Sequence, residues 1–404
     1  MSFQLIVSSR ALLAAAKLAL PLVAANPVVP ILENLLLTVA DGQLTLRASN
    51  LNTTFTTAPL AVEAAGSGSI CVPAKLFTQT LAALPDQPIT LVVDTNTYAV
   101  ELRAARSKYR QAGENSVDFP RPGQSAYQTS GGEVRICKLL ASTWADGLAV
   151  TLPFVSTDIN RPSLTGVAIQ AEADGALRLV ATDGYRVQMF RYAVPEDSEE
   201  LSLPAAAAGT TYVLPADAAG LLQGLLREKA QQGAIVRAVL TPDYCQLELP
   251  AGQLHCRLID QRFPEWQTVV PMRQDYELHC DRDEFVAAIG RAALYANEKS
   301  KQVRLLLGLG GSTDEFTLAA ENLDFSNEGS ETISAHYEGE AMQIGFSAPY
   351  LTQSLKVLPA GAVVLSFSSA NQATLMRSSD EPNTMQARVR CMLMSMHLHH
   401  SVAA

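Results

Sequence analysis

Charge is scarce in this 404-residue chain and leans to one sign. Charged residues make up 17%, and 30 Lys and Arg stand against 40 Asp and Glu, a formal net charge of -10. That balance excludes a protein held to nucleic acid by bulk charge, so a polyanion partner requires a locally basic lining. The low charge and 48% hydrophobic content also exclude a disordered chain. Cysteine is sparse and scattered: Cys71, Cys137, Cys245, Cys256, Cys280 and Cys391 form no CxxC pair, which argues against a zinc ribbon or a disulfide framework and for a reducing, cytoplasmic setting. Long apolar runs are missing too, with nothing near the roughly 20 residues that cross a bilayer. The Ala/Leu-rich stretch around Leu12–Ala25 is broken by Arg10, Lys17 and Pro21 and does not read as a signal peptide.

Catalytic constellations are likewise lacking. There is no GxxxxGK[ST]; GLGGST (308–313) lacks the Lys and reads as a turn at a strand end. There is no GxSxG elbow, and the cysteines lie in apolar settings that favour inert core thiols. His255, His279 and His336 stand alone, while His397, His399 and His400 sit in a tail that reads as solvated rather than metal-binding. Asp183 reads as a turn residue after a strand rather than a catalytic carboxylate. No catalytic residue, metal or cofactor is therefore expected, and a chain of this length without them reads as a scaffold. A hydrolase or transferase with an unrecognised site is the competing class, and turnover screening addresses it.

What the chain does have is a threefold pattern. LLLTVADGQLTLRASNL (35–51), VAIQAEADGALRLVATDG (167–184) and VRLLLGLGGSTDEFTLAAENL (303–323) each order strand, turn and strand, and their aligned Ala48, Ala181 and Ala320 lie 133 and 139 residues apart. VPAKLFTQTLAALP (72–85), LPADAAGLLQGLLRE (214–228) and APYLTQSLKVLPAG (348–361) recur in phase. Proline in the first turn followed by apolar residues at helical spacing predicts a short amphipathic helix in each. A further helix opens each third, predicted at Arg10–Leu20, Lys138–Leu148 and Asp281–Asn297. VDFPRPG (117–123) and QRFPEWQ (261–267) place Phe-Pro at the joints and read as linkers. Each unit reads as helix, strands, helix, strands, an α+β architecture of three similar domains at 1–125, 126–262 and 263–404, the last with a short C-terminal tail.

Four segments carry a more specific signal: NPVVPILENLLLTVADGQL (26–44), ATDGYRVQMF (181–190), LIDQRFPEWQTVVP (258–271) and RAALYANEKSKQVRLLL (291–307). In this order, with a Met-rich C-terminus, they resemble the bacterial DNA polymerase III beta subunit, the sliding clamp. The resemblance implies a DNA clamp fold: a head-to-tail homodimer closed into a ring, with helices lining a central hole and sheets outside. It implies a processivity factor that encircles double-stranded DNA without sequence preference and tethers the polymerase III catalytic subunit, the clamp loader, and other polymerases and repair proteins through short peptide motifs. Processivity then comes from topological linkage and effective concentration, and a net charge of -10 is no objection.

Residue by residue, the resemblance implies a hydrophobic peptide pocket between the second and third domains. Its lining would be Leu164, Thr182, Gly184, Tyr185, Arg186, Val187, Pro264, Val269, Ser347, Tyr350, Met392, Leu393, Met394 and Met396. Methionines suit such a site, because they adapt to different apolar side chains. DNA-facing candidates are Arg10, Lys17, Lys75, Arg135, Lys138, Arg282, Arg291, Lys299 and Lys301. The ring contact would set Leu294 and Tyr295 against Tyr109 of a second copy. The chain also departs from the family pattern: Asn26 and Ala216-Asp217 stand where basic residues are usual, Thr268 replaces a basic residue and Ser300 an aromatic, and MLMSMHL (392–398) is followed by HHSVAA. These departures motivate an alternative, a clamp paralogue or decoy that captures clamp-binding peptides without productive DNA loading.

Overall fold

Each third of the chain opens with a strand that runs directly into a helix: Ser2–Ser8 into Ser9–Ala19, Arg135–Leu140 into Ala141–Thr151, and Tyr276–Asp281 into Arg282–Ala292. The computed structural model describes residues 2–121, 134–172, 175–194, 210–227, 233–271, 273–308, 311–382 and 388–397. The strand-to-helix joint has a local cause. The Ser8 hydroxyl accepts the Ala11 N–H at 3.3 Å, and the Asp281 carboxylate accepts the N–H groups of Asp283 and Glu284 at 2.9 Å, satisfying donors the first helical turn would leave orphaned. Behind those caps the apolar spacing matches: Leu12, Ala15, Ala16 and Ala19 are buried on one helix and Phe285, Ala288, Ile289 and Ala292 on the other.

Two expectations need correction here. The helix expected at Lys138–Leu148 is a strand through Leu140 and a helix only from Ala141. The strand was concealed at its start, where Arg135 is buried and Ile136 exposed. The prolines of the second helices also differ in placement: Pro349 lies in the first turn, whereas Pro73 is the cap residue and Pro215 ends the preceding strand.

The hairpins of the repeat fall where the spacing puts them. Asn34–Ala40 and Gln43–Ser49 are joined by Asp41 and Gly42, both at positive φ (51° and 71°), the turn geometry that matches strand twist. Gly166–Ala171 pairs with Ala176–Thr182, and Gln302–Leu307 with Glu315–Asn322. Helices Ala74–Ala83, Ala216–Leu226 and Ala348–Lys356 follow, each entered from a strand.

The described residues fall into two compact units. The first lies within Met1–Ala145 and Asp217–Asp260. It holds a five-stranded sheet, in which Ser2–Ser8 lies between Pro88–Asp94 and Glu63–Ala65, and a nine-stranded sheet in which Thr53–Thr57 pairs with Gly252–Arg257. Phe119 of the first joint docks on a cluster of Ile31, Leu32, Leu36 and Cys71. The second unit lies within Asp146–Pro195, Ala205–Ala216 and Gln261–Ala404. Its sheet has twelve strands, and the C-terminal strand Val389–Leu393 is inserted between Arg186–Ala193 and Thr374–Ser378.

All six cysteines are buried and reduced. Burial pushes the thiols of Cys71, Cys137, Cys280 and Cys391 up to about 12, and Cys245 is raised through its contact with Cys256 and by burial. A raised thiol pKa leaves almost no thiolate at pH 8, and burial denies access to what remains. Ellman's reagent is therefore expected to titrate fewer than one thiol per native chain and all six after denaturation. Rapid reaction of any native thiol would contradict that packing.

Candidate functional site

The second unit is built around a tight turn at the end of strand Ala176–Thr182. The Thr182 hydroxyl donates to the Arg186 carbonyl at 2.7 Å and accepts the Gly184 N–H at 3.1 Å. Asp183 accepts the N–H groups of Tyr185 (2.9 Å) and Arg186 (3.2 Å), so it is a turn residue. Gly184 sits at φ +94°, a left-handed conformation that favours glycine, and an added Cβ would stand 3.0 Å from the tip of the half-exposed Arg161 side chain.

That turn aims Arg186 inward. Its guanidinium is bound by Asp183 (2.9 Å), the Gln353 side-chain carbonyl (2.8 Å) and the Pro153 carbonyl (3.2 Å). It is also sandwiched between the rings of Phe154 and Tyr350, at 4.4 and 4.5 Å. Tyr185 stacks on the same Tyr350 at 5.9 Å. A buried charge so fully partnered is rigid, and it fixes the floor beside it.

Next to this cluster lies a cavity of about 690 Å³. Leu164, Thr182, Gly184, Arg186 and Val187 supply one wall, Met392 and Met394 a second, and Pro264 and Val269 a third. Nine of the fourteen expected lining residues thus converge. The remaining five do not line it. Leu393 points the other way by strand alternation and is core, 1% exposed. Tyr185 and Tyr350 stand beside the cavity in the stack on Arg186. Ser347 ends strand Met342–Ser347, and Met396 pairs with Gly345 through its N–H (2.8 Å).

Apart from Thr268, sequence reading missed the rim, and it missed one wall residue. Trp266 completes the third wall, and the rim is polar: Asn160, Arg161, Ser163, Gln261, Arg262, Glu265 and Thr268. The available signal was a tryptophan, one of two in the chain, set in a polar Phe-Pro joint. The rim charges pair internally, Arg161 with Asp158 at 2.9 Å and Arg262 with Glu265. The Asn160 N–H and then Arg161 hold the Asp158 carboxyl below the usual carboxylate range. With its charges paired, the cavity selects by apolar shape.

The candidate cations divide into three groups. Arg10, Lys17 and Lys75 are exposed on helices of the first unit, and Lys299 and Lys301 are exposed after the turn Ala293–Tyr295. Arg282 and Arg291 are engaged: Arg282 donates to the Leu358 carbonyl (2.6 Å) and to Asp283, while Arg291 pairs with Glu331 at 2.5 and 2.7 Å. The Glu331 partner holds Arg291 above its usual pKa, and Arg291 in turn holds Glu331 below its own. Arg135 and Lys138 lie on a strand rather than a helix. Lys138 is exposed, but Arg135 is buried at 8% and already engaged, which removes it from a solvent-facing lining. Asp217, where a basic residue is usual, accepts from Asn50 at 2.9 Å. Tyr109 is 44% exposed on the edge strand Ser107–Ala112, and Leu294 and Tyr295 are 81% and 47% exposed.

Comparison with known proteins identifies the family. Three family models match in succession: the DNA polymerase III beta subunit N-terminal domain over residues 3–122, the central domain over 149–265, and the C-terminal domain over 267–391. The beta sliding clamp of Synechococcus elongatus is 30% identical over 345 residues, 83% of this chain and 85% of its own. That of Vibrio cholerae is 28% identical over 360 residues, 88% of this chain and 90% of its own. The crystal structure of a Pseudomonas aeruginosa sliding clamp bound to griselimycin superposes with a TM-score of 0.86 at 25% identity, covering 98% of this chain and all of the other.

The chain therefore belongs to the DNA polymerase III beta subunit family, the beta sliding clamps. It has their three-domain fold of mixed α and β structure and acts as a DNA-binding processivity clamp of replication. Such proteins are non-catalytic scaffolds, and among the described residues no group of three or more His, Cys, Asp or Glu is placed to hold a metal. No helix among them is long and apolar enough to cross a membrane.

Proposed function

We propose that two copies of this chain close head to tail into a ring around duplex DNA, with domains at 1–125, 126–262 and 263–404. The ring tethers the replicative polymerase, the clamp loader, and other polymerases and repair proteins by short apolar peptide segments bound in the cavity of the second unit. The observation that carries the reading is the convergence on one cavity of Leu164, Val187, Pro264 and Val269, and Met392 and Met394 from four separate stretches of chain. A methionine-rich wall accommodates different apolar side chains, so one site serves several partners. Arg10, Lys17, Lys75, Lys138, Lys299 and Lys301 are the cations available to the DNA backbone, and Leu294 and Tyr295 meet Tyr109 of the other copy. Thr268 at the rim, in place of a cation, shifts preference away from peptides with an acidic residue near that edge.

The test is retention on DNA. Protein placed on nicked circular DNA by a clamp loader and ATP is expected to stay on circles and to leave once the circle is linearised, since a topological link has no grip on a free end. The internal pairing of Arg282 and Arg291 favours one second reading, a peptide-capturing paralogue with too few free cations to load. Dimers that fail to load beside a clamp that loads would establish that second reading.

A further inference from the structure

The walls of the cavity are not equally anchored. Thr182, Val187 and Met392 are strand residues locked by sheet pairing. Pro264 and Val269 ride on residues 261–271, which belong to none of the sheets. The internal order of that stretch comes from a short 3-10 turn, Trp266–Val269, with the Trp266 N–H on the Pro264 carbonyl at 2.9 Å, from the Thr268 hydroxyl on the Glu265 carbonyl at 2.7 Å, and from the Arg262–Glu265 ion pair. Its placement must come from side chains, and two of them are buried, Phe263 at 5% and Trp266 at 2% exposed, of which Trp266 lines the cavity.

Trp266 is held from the sheet. Its indole N–H donates to the Gln170 side-chain carbonyl at 3.3 Å, and the Arg178 guanidinium lies over the ring at 5.4 Å. Gln170 and Arg178 are opposite one another on paired strands, and Arg178 is opposite Arg191, so all three share one face of the sheet. Glu172 binds Arg178 at 2.5 Å with one oxygen and Arg191 at 2.7 Å with the other. A carboxylate shared in this way fixes the plane of the guanidinium, and a fixed plane is what a stacked indole needs.

We propose that Arg178 is a positioning residue for the peptide cavity: oriented by Glu172, it pins Trp266 and through it sets the wall formed by Pro264 and Val269. The proposal rests on the peptide-pocket reading above. Arg178 touches no peptide, and its influence runs through the indole.

The experiment compares wild type, Arg178→Lys, Arg178→Met and the double variant Glu172→Gln/Arg178→Met. In Arg178→Met the Glu172 carboxylate keeps its bond to Arg191, whereas the double variant removes the whole Glu172–Arg178 pair and with it the Glu172–Arg191 bond, so Arg178→Met is the reference for stability. A fluorescein-labelled peptide ending Gln-Leu-Ser-Leu-Phe serves as the probe, with acrylamide quenching of tryptophan as a second readout. Trp144 is wholly buried, so a rise in quenching reports Trp266, and a Trp266→Phe control assigns it. Arg178→Met should melt close to wild type, and both it and the double variant should bind peptide about tenfold more weakly with greater quenching. Arg178→Lys, which keeps the charge without the planar stack, should keep stability but not affinity. Peptide affinity within twofold of wild type in the double variant overturns the proposal. If wild type binds no peptide, the pocket reading fails, and the pin is then decided by quenching alone: increased quenching supports it, and unchanged quenching overturns it.

Discussion

Replacing Leu294 by Ala and Tyr295 by Asp is expected to turn a dimer into monomers of 43.3 kDa in sedimentation, with loading on circular DNA lost altogether. Leu294 is 81% exposed, so it does little for the isolated chain and its truncation should barely move the melting temperature. In a head-to-tail ring the same side chain is buried, and burying a leucine contributes about 1.5–3 kcal/mol. Tyr295 adds a half-exposed ring, and an aspartate there introduces a charge into an apolar contact at a further cost of a few kcal/mol. A two-fold ring has two such contacts, and both are lost with one double substitution, which is why a modest local change should abolish closure. Tyr295 also packs over Gly329, where a Cβ would meet its ring at 2.8 Å, so Leu294→Ala alone separates the interface effect from any loosening of that hairpin. Retention of full dimer mass by the double variant would refute the placement of the contact.

The fold was legible where local chemistry and repetition agreed. Asp41-Gly42 declares a tight hairpin, and the same strand, turn and strand at 166–182 and 302–322 made three copies a safer reading than any one of them. Legibility failed at Arg135–Leu140 because burial at its first two residues runs against residue type: the arginine is inside and Ile136 is 38% exposed. The repeat held the remedy, since Ser2–Ser8 and Tyr276–Asp281 are strands directly before the corresponding helices. For the site, resemblance supplied the wall residues, and simple alternation could have withdrawn Leu393, which lies between Met392 and Met394. The rim was less readable. Arg161, Arg262 and Glu265 look like ordinary solvated charges, and only the fold brings them to one edge and pairs them off. Nothing about Arg178 marks it in sequence, because its role depends on a tryptophan 88 residues away meeting one face of a sheet.

Val269→Asp is expected to remove peptide binding while leaving the ring intact. Val269 is 50% exposed, so the substitution costs the folded chain little. In the bound complex, however, the new carboxylate faces Leu164, Val187 and Met392, and the cations of the cavity are already paired, Arg186 with Asp183 in the wall and Arg161 and Arg262 at the rim. Burying an unpaired charge under an apolar peptide should weaken binding at least about a hundredfold, near 3 kcal/mol. Fluorescence anisotropy with the labelled peptide measures this, and Val117→Asp, at a residue 71% exposed in the first unit, controls for a nonspecific effect of added charge. If the loader docks in the same cavity, as proposed above, loader-dependent loading should fall in parallel, whereas sedimentation should still give the proposed dimer. The interface variant has the opposite signature, monomers that retain peptide affinity. A Val269→Asp protein that binds peptide as wild type does would move the docking site away from this cavity, and one that also loses the dimer would mean that cavity and ring contact are not independent.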